Sequence, residues 1–424
     1  MMLALLVIAI AVLLVLRVPV AFAFLGPSIV YMWASGNSTG NALREVFNAA
    51  DSFPLLAVPL FVLLGSLANR AGIADSLFRF ALALLARVRG SLGYVSIGTS
   101  VGFSWMSGSA VADAAALGKV QIPAMIREGY GRRFATGVSA SSTLIAPVMP
   151  PSIPAVIYSG LAAVSTGALF AASVIPAVAM AVGLCIVVAV LVSRNPRIQK
   201  DEFDRTEVLA SLRGVILPLF TPVIILGGIL GGIFTPTEAA AVAVVYIILV
   251  GVLRRSLTWR VFLAALREAA TTTASIMIIV ASASLLGYIL ARERLPQMLT
   301  EAMFAISDSP TVFLILVVVL CLVLGTVIDA TAILVLIVPI LVPIASTYGV
   351  DPISLGVITI IALMIGLLTP PVGTVLFVIA SVSRSRIGDV FRGTLPFMIP
   401  FLVVIALAIA FPDAITWVPG VLGL

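Results

Sequence analysis

Oxygen-rich breaks inside apolar sequence are the first candidates for chemistry. The string Trp105-Met106-Ser107-Gly108-Ser109-Ala110-Val111-Ala112-Asp113 gathers small, hydroxyl-bearing and acidic residues, and Gly325-Thr326-Val327-Ile328-Asp329-Ala330-Thr331 does the same in the second half of the chain. Gly and Ser interrupt a helix and free backbone carbonyls, which at membrane depth must find partners. A hard cation such as Na+ accepts several carbonyls together with hydroxyl oxygens, and half-helix N-termini at the same break favour an anionic group. A carboxylate in oil is costly and is a functional candidate for that reason. The structural alternative is that small residues let helices approach closely while the acids pair with a nearby Arg. For Asp113, four residues beyond the Ser-Gly-Ser break, capping or pairing stands level with ion binding.

A second pair of motifs is built on proline. Ala146-Pro147-Val148-Met149-Pro150-Pro151-Ser152-Ile153-Pro154 is matched by Leu368-Thr369-Pro370-Pro371-Val372-Gly373-Thr374. Consecutive prolines remove backbone donors and expose the preceding carbonyls, so each run should unwind its span midway and present ligands opposite a hairpin tip. One proline would be only a kink, but the doubled prolines recur 220 residues apart, 41 to 43 residues after each break. Other motifs have simpler readings. Phe234-Thr235-Pro236-Thr237-Glu238 opens a helix with a cap and an acid favoured by the dipole. Gly129-Tyr130-Gly131-Arg132-Arg133 reads as a cytoplasmic turn. The amphipathic stretches 75–89 and 292–304 occupy equivalent points of the two halves and read as arms flanking a moving part.

The elements that position these motifs must be membrane helices. Of 424 residues, 62% are apolar and 10% charged, against roughly a quarter charged in a soluble domain; the mean hydropathy is +1.25. The absence of His excludes imidazole-based zinc hydrolases, Ser-His-Asp enzymes and His-ligated haem proteins. Cys185 and Cys321 lie in separate apolar runs and suggest neither a disulfide framework nor a metal cluster. The first sixteen residues have the apolar core of a signal peptide but no basic residue ahead of it, so they read as a retained span.

Ten crossings are expected, near 2–16, 18–34, 54–69, 134–160 and 168–193, then 214–233, 236–253, 270–290, 353–382 and 395–412. The segments 92–118 and 311–346 are broken in the middle. Their halves, about 10–16 residues or roughly 15–24 Å of helix, fall short of a core of about 30 Å, which predicts re-entrant hairpins. Pro19 pairs with Pro236, Gly65-Ser66-Leu67 with residues 282–285, and Pro150-Pro151 with Pro370-Pro371, at offsets of 217, about 218 and 220. The chain thus divides into a first repeat 1–193, a cytoplasmic linker helix 194–213 and a second repeat 214–424. Five crossings and one hairpin per repeat put the two in opposite orientation, the inverted repeat of many secondary transporters. With both termini outside, only Arg44, Arg292 and Arg294 of the 24 basic residues fall on the outer face, as the positive-inside rule requires.

The strings SGSAVADAAALG, IPAMIREGYGRRFATGV, PPSIPAVIY, GGIFTPTEAAAV, PILVPIASTYGVDPISLGVI and GLLTPPVGTVLFV resemble the large membrane subunit of tripartite ATP-independent periplasmic (TRAP) transporters over nearly the whole chain. That resemblance implies an all-α membrane protein of the ion-transporter superfamily, in which hairpins and broken spans carry substrate past a fixed scaffold in an elevator movement. It implies Na+ as coupling ion with no other cofactor, and uptake across the bacterial inner membrane of a small organic acid such as a dicarboxylate or sialic acid. It further implies two partners, a periplasmic substrate-binding protein and a small four-helix membrane subunit. Carried over residue by residue, one cation site would use Ser107, Gly108, Ser109, Asp113 and carbonyls around Pro147. The other would use Gly325, Thr326, Asp329, Thr369, Pro370 and Gly373, with substrate contacted by Ser109, Ser152 and Asp329. A stand-alone Na+/carboxylate symporter keeps the fold but drops the partners. An intramembrane protease, built on Ser109 with Lys119 or Asp113 with Asp329, leaves the doubled prolines unexplained, and a channel would not saturate.

Overall fold

The computed structural model describes residues 2–16, 18–36, 39–50, 53–193 and 204–424. Among them every regular element is helical, which is the all-α architecture the composition demands. The first half comprises α1 (Met2–Val15), α2 (Val20–Ala34), α3 (Thr39–Ala50), α4 (Ala57–Arg70), α5 (Ile73–Leu85), α6 (Ser91–Ser107), α7 (Ala110–Arg127), α8 (Arg132–Ser142), α9 (Ile153–Ala162) and α10 (Thr166–Ser193). The second comprises α11 (Arg205–Leu230), α12 (Pro236–Leu253), α13 (Trp259–Arg292), α14 (Leu295–Phe304), α15 (Pro310–Gly325), α16 (Ala330–Thr347), α17 (Pro352–Gly366), α18 (Thr374–Ser383), α19 (Ile387–Ala410) and α20 (Pro412–Leu422). Residues 194–203, the first half of the expected linker helix, lie outside the described residues, and 205–213 form the start of α11, which Asp204 caps by accepting from the Thr206 N–H at 2.8 Å.

Large apolar side chains face outward at helical spacing, as a bilayer requires. Leu5, Ile8 and Val12 do so on α1, Val182, Ile186 and Val190 on α10, and Leu395, Ile399 and Leu402 on α19. Among the described residues six helices are long and apolar enough to cross, or seven if the pair 54–70 and Ile73–Leu85, bent by 62°, counts as one span. The protein is therefore multi-pass, but ten uniform crossings are not what the helices offer. α1 and α2 have 14 and 15 residues, about 21–23 Å of helix. The expected span 270–290 is part of the 34-residue α13, which starts at Trp259 where a cytoplasmic loop was expected. α3 and α20 occupy stretches for which no element was expected.

Both broken segments fold back on themselves. Ser96 on α6 donates to Gln121 Oε1 on α7 at 2.6 Å, tying the outer parts of the two arms together. At the base of the second, the Tyr348 ring stacks on Phe313 at 5.0 Å between centroids and on Phe304 of α14 at 4.5 Å. α16 has 18 residues and is long enough to cross by length and composition. Length did not mark it as a hairpin arm; its return to the start of α15 does.

The packing recurs between halves with partners exchanged. α7 lies on α18 and α16 on α9; α8 lies on α19 and α17 on α10; α2 lies on α13 and α12 on α4. A pseudo-twofold relation between the halves requires that reciprocity. The tightest joint is between α8 and α19, where a Cβ on Gly137 would stand 2.1 Å from the Gly393 carbonyl oxygen. Gly137→Ala is expected to lower the thermal midpoint of the detergent-solubilised protein, because overpacking two backbones costs about 1–3 kcal/mol or more. Gly388→Ala, with nothing within 4 Å, should leave the midpoint near wild type.

Candidate functional site

Hairpin 1 turns where α6 ends at Ser107 and Gly108 adopts φ +59°, a conformation open to Gly at no steric cost. Ser109 then caps α7, its Oγ accepting from the Ala112 N–H at 3.4 Å. The tip is wedged between two backbones. A Cβ on Gly65 of α4 would meet Ser107 Cα at 3.0 Å, and one on Gly108 would meet the Pro151 carbonyl oxygen at 3.0 Å. Behind the tip, Asp113 is fully buried. One carboxylate oxygen accepts a short hydrogen bond from the Ser107 hydroxyl, and the other, Oδ2, has no hydrogen-bond partner among the described residues. A buried carboxylate oxygen left open in this way loses several kcal/mol of hydration unless something positive meets it.

The proline run opposite this tip does unwind its span. A short 3-10 segment Thr143–Ile145 follows α8, the chain turns through 146–151, and α9 starts at Ile153. The Pro150-Pro151 bond is cis, as is Pro370-Pro371. Ser152 is the N-cap of α9, accepting from the Ala155 N–H at 3.1 Å, and its hydroxyl donates to the Pro147 carbonyl.

Hairpin 2 is held by its own proline run. The Thr326 carbonyl accepts from the Val372 N–H at 2.9 Å and the Gly373 N–H at 3.1 Å, and Gly325 packs against Gly366 backbone to backbone. Around Gly373, at φ +50°, the Thr369 and Leu367 carbonyl oxygens lie 2.9 and 3.1 Å from where a Cβ would stand. Asp329 caps α16 by accepting from the Thr331 N–H at 2.9 Å.

The two tips share one cavity of about 470 Å³. Ser107, Gly108, Ser109 and Pro147 line it from one repeat and Asp329 and Thr331 from the other. Asp113, Gly325, Thr326, Thr369, Pro370 and Gly373 stand outside this lining, in the two oxygen clusters beneath and beside the tips. Two assignments change. Ser152, expected to touch substrate, is fully buried and does not line the cavity; its hydroxyl is occupied by the cap and by Pro147. Thr326, expected in the second cation site, has its carbonyl accepting from two backbone N–H groups, so that oxygen is already engaged. Ser152→Ala is therefore expected to cost stability, roughly 1–3 kcal/mol for a lost cap and an unsatisfied buried acceptor. In an uptake assay the same variant should keep KM within about twofold of wild type, since no cavity contact is lost.

Sequence reasoning missed the opposite wall. Asn69 and Ser66 of α4 and Glu268 and Thr272 of α13 line the cavity. Glu268 accepts from Ser66 Oγ at 2.9 Å and pairs with Arg70 at 2.7 Å. Both side chains of that ion pair are about 40% exposed, at 39% and 44%, so water screens it and it adds little stability. Its place at the cavity edge matters more than its strength. The signal was present, since Ser66 with Asn69 on α4 and Glu268 with Thr272 on α13 fall at helical spacing, but the charged start of α13 reads as a loop. As chemistry, the clusters offer hydroxyl, carbonyl and carboxylate oxygens without a group of three or more Cys, Asp or Glu among the described residues. Such oxygen sets suit hard cations rather than Zn or Cu. The side-chain bonds of Ser109, Asp113 and Asp329 run to Ala112, Ser107 and Thr331, so neither protease pairing is formed.

Known families and structures share this chain's sequence and fold. Residues 7–414 match the family described as tripartite ATP-independent periplasmic transporter, DctM component. The sialic acid TRAP transporter large permease protein SiaM of Vibrio cholerae is 43% identical over 93% of this chain and 93% of its own. The C4-dicarboxylate TRAP transporter large permease protein DctM of the same organism is 34% identical over 100% and 98%. The crystal structure of the Alcanivorax borkumensis YdaH transporter superposes with a TM-score of 0.59 at 16% identity, covering 88% of this chain and 87% of that one, a likeness of fold alone. With the family model spanning nearly the whole chain and the relatives covered almost end to end, this protein belongs to the large permease, or DctM, component of the tripartite ATP-independent periplasmic transporters.

Proposed function

We propose that this large permease moves a small organic acid into the cell, driven by Na+, in an elevator movement. The observation that carries the reading is the meeting of two helix breaks, one from each half of the chain, in one cavity where Ser107, Ser109, Asn69, Glu268 and Asp329 stand among apolar side chains. Its volume falls in the range of small-molecule sites. The N-termini of α7 and α16 open on it, each contributing about half a positive charge that favours a carboxylate. Cations at the two oxygen clusters would offset the charge of Asp329 beside an anionic substrate, which is why substrate and Na+ should travel together. Asp113 with Ser107 is the first cluster; the carbonyls of Leu367 and Thr369 with the second hairpin tip form the other.

The hairpins and the broken spans α8–α9 and α17–α18 are the moving body in this reading. The wall formed by α4 and α13 is the fixed one, and Gly65 gives α4 a smooth face against the first tip. The substrate is a carboxylate delivered by a periplasmic binding protein, with a small four-helix membrane subunit beside this chain in the bacterial inner membrane and both termini periplasmic. The greater identity to the sialic acid relative than to the dicarboxylate one favours a sugar acid. The test is uptake into proteoliposomes holding this chain and its small subunit. Sialic acid and a C4-dicarboxylate would each be supplied on a cognate binding protein, with and without an inward Na+ gradient. Saturable uptake that needs both the binding protein and Na+ supports the reading. Uptake without any binding protein would favour a stand-alone Na+/carboxylate symporter, and uptake indifferent to Na+ would remove the coupling.

A further inference from the structure

Away from the cavity, a second concentration of charge remains unexplained. Where α8 begins and α18 turns into α19, a pocket of about 440 Å³ is lined by Arg132, Arg133, Arg384, Arg386 and Asp389. Arg133 pairs with Asp389 at 3.0 Å and Arg132 donates to the Ser383 carbonyl at 3.1 Å. Among the described residues the side chains of Arg384 and Arg386 make no hydrogen bond or ion pair. Four guanidinium groups against one carboxylate leave a strong positive field with donors in the fork geometry that matches a phosphate. Backbone donors add to it, because the N-caps of α8 and α19, Gly131 and Arg386, make no side-chain capping bond.

What distinguishes this cluster from a solvated patch is its neighbour. Arg133 also lines an adjoining slot of about 290 Å³ whose walls are Phe134, Leu191, Val192, Pro396 and Phe397, with Arg392 at its side. The slot lies at the last turn of α10. Val190 and Ile186 of that helix and Leu395 and Ile399 of α19 are exposed outward, so the slot continues onto surface that must face acyl chains. An anion-binding pocket joined to an apolar groove at the end of two membrane helices matches an amphiphile with a phosphate head, and a free phosphate would leave the groove unused.

We propose that this paired pocket and slot is a binding site for an anionic phospholipid, the arginines holding the phosphate and the slot the first carbons of a chain. Because α8 and α19 are the tightest joint of the fold, a lipid here is bound to the body that carries hairpin 1. The test uses the full chain in mild detergent, incubated with phosphatidylglycerol or phosphatidylcholine and probed by native mass spectrometry. Wild type should retain phosphatidylglycerol and not phosphatidylcholine. Arg384→Gln/Arg386→Gln should retain at least about tenfold less, whereas Arg205→Gln/Arg213→Gln, with the same charge loss elsewhere, should match wild type. Leu191→Trp, which fills the slot and spares every arginine, should also lose the lipid, and it carries the test alone if the double variant does not purify as a single species. Equal retention by wild type and the Arg384/Arg386 variant would overturn the proposal. So would displacement of the lipid by millimolar inorganic phosphate together with no effect of Leu191→Trp, since that pattern describes a site for a free anion.

Discussion

Asp113→Ala is expected to abolish uptake at ordinary Na+ concentrations and to raise the Na+ needed for half-maximal rate by at least about 100-fold. The argument is electrostatic. The carboxylate is fully buried, one oxygen is engaged only by the Ser107 hydroxyl, and the other has no partner among the described residues. In the proposed mechanism a cation completes that site, and removing one member of a buried charge pair costs roughly 3–5 kcal/mol, which is about two to four powers of ten in affinity. Asp113→Asn separates this from a packing role. It preserves shape and can still accept from Ser107, so a purely structural Asp113 would leave Na+ dependence at its wild-type value in that variant. If a cation completes the site, the Asn variant raises the Na+ needed for half-maximal rate almost as much as the Ala variant does. Uptake measured against Na+ concentration in proteoliposomes decides.

The second large effect is expected at Asp329, whose side chain is exposed to the cavity between the tips. It does two jobs that substitutions can divide. As N-cap of α16 it is worth about 1 kcal/mol of helix stability, and as a charge beside the substrate it should attract the coupling cation. Asp329→Ala removes both, while Asp329→Ser keeps a capping oxygen and removes only the charge. Losing one partner of a close charge pair costs about 2–5 kcal/mol, so each variant should lower uptake by roughly 30-fold or more. The Ser variant should keep the wild-type thermal midpoint. If Asp329→Ser transports normally with unchanged Na+ dependence, the charge has no part in coupling and Asp329 is a cap alone.

Local backbone chemistry was the legible part of this protein. Gly108 with its flanking serines, and the doubled prolines at Pro150-Pro151 and Pro370-Pro371, announce interrupted helices because their backbone restrictions act within a few residues. These features recur some 220 positions apart, and helices of the two halves pack with partners exchanged. The reach of helices was less legible. The charges from Arg260 to Glu268 read as a loop, yet they lie on one continuous helix, whose Glu268 meets Ser66 and Arg70 about 200 residues away in sequence. No local pattern encodes a contact at that separation. Ser152 is the opposite case, since a Ser immediately before Ile153-Pro154 carries the ordinary N-cap signal with Pro in the first turn. Its proximity to the proline motif drew a substrate role onto a residue whose hydroxyl is taken up by its own helix and by the Pro147 carbonyl. α16 shows why length misleads, because 18 apolar residues satisfy a crossing and a hairpin arm equally well, and the return of Tyr348 to Phe313 and the Ser307 carbonyl distinguishes them.

All of the transport reading depends on the two hairpins opening to opposite faces of the membrane while their tips meet. Single cysteines at Glu128, beyond the last turn of hairpin 1, and at Ser346, near the base of hairpin 2, test this directly. They would be introduced in a chain with Cys185→Ser and Cys321→Ser, and a membrane-impermeant maleimide applied to intact cells and to inverted vesicles. Glu128→Cys should react only in inverted vesicles and Ser346→Cys only in intact cells. Labelling of both from the same side would contradict the account, because two hairpins opening on one face cannot present their tips to each other from opposed repeats.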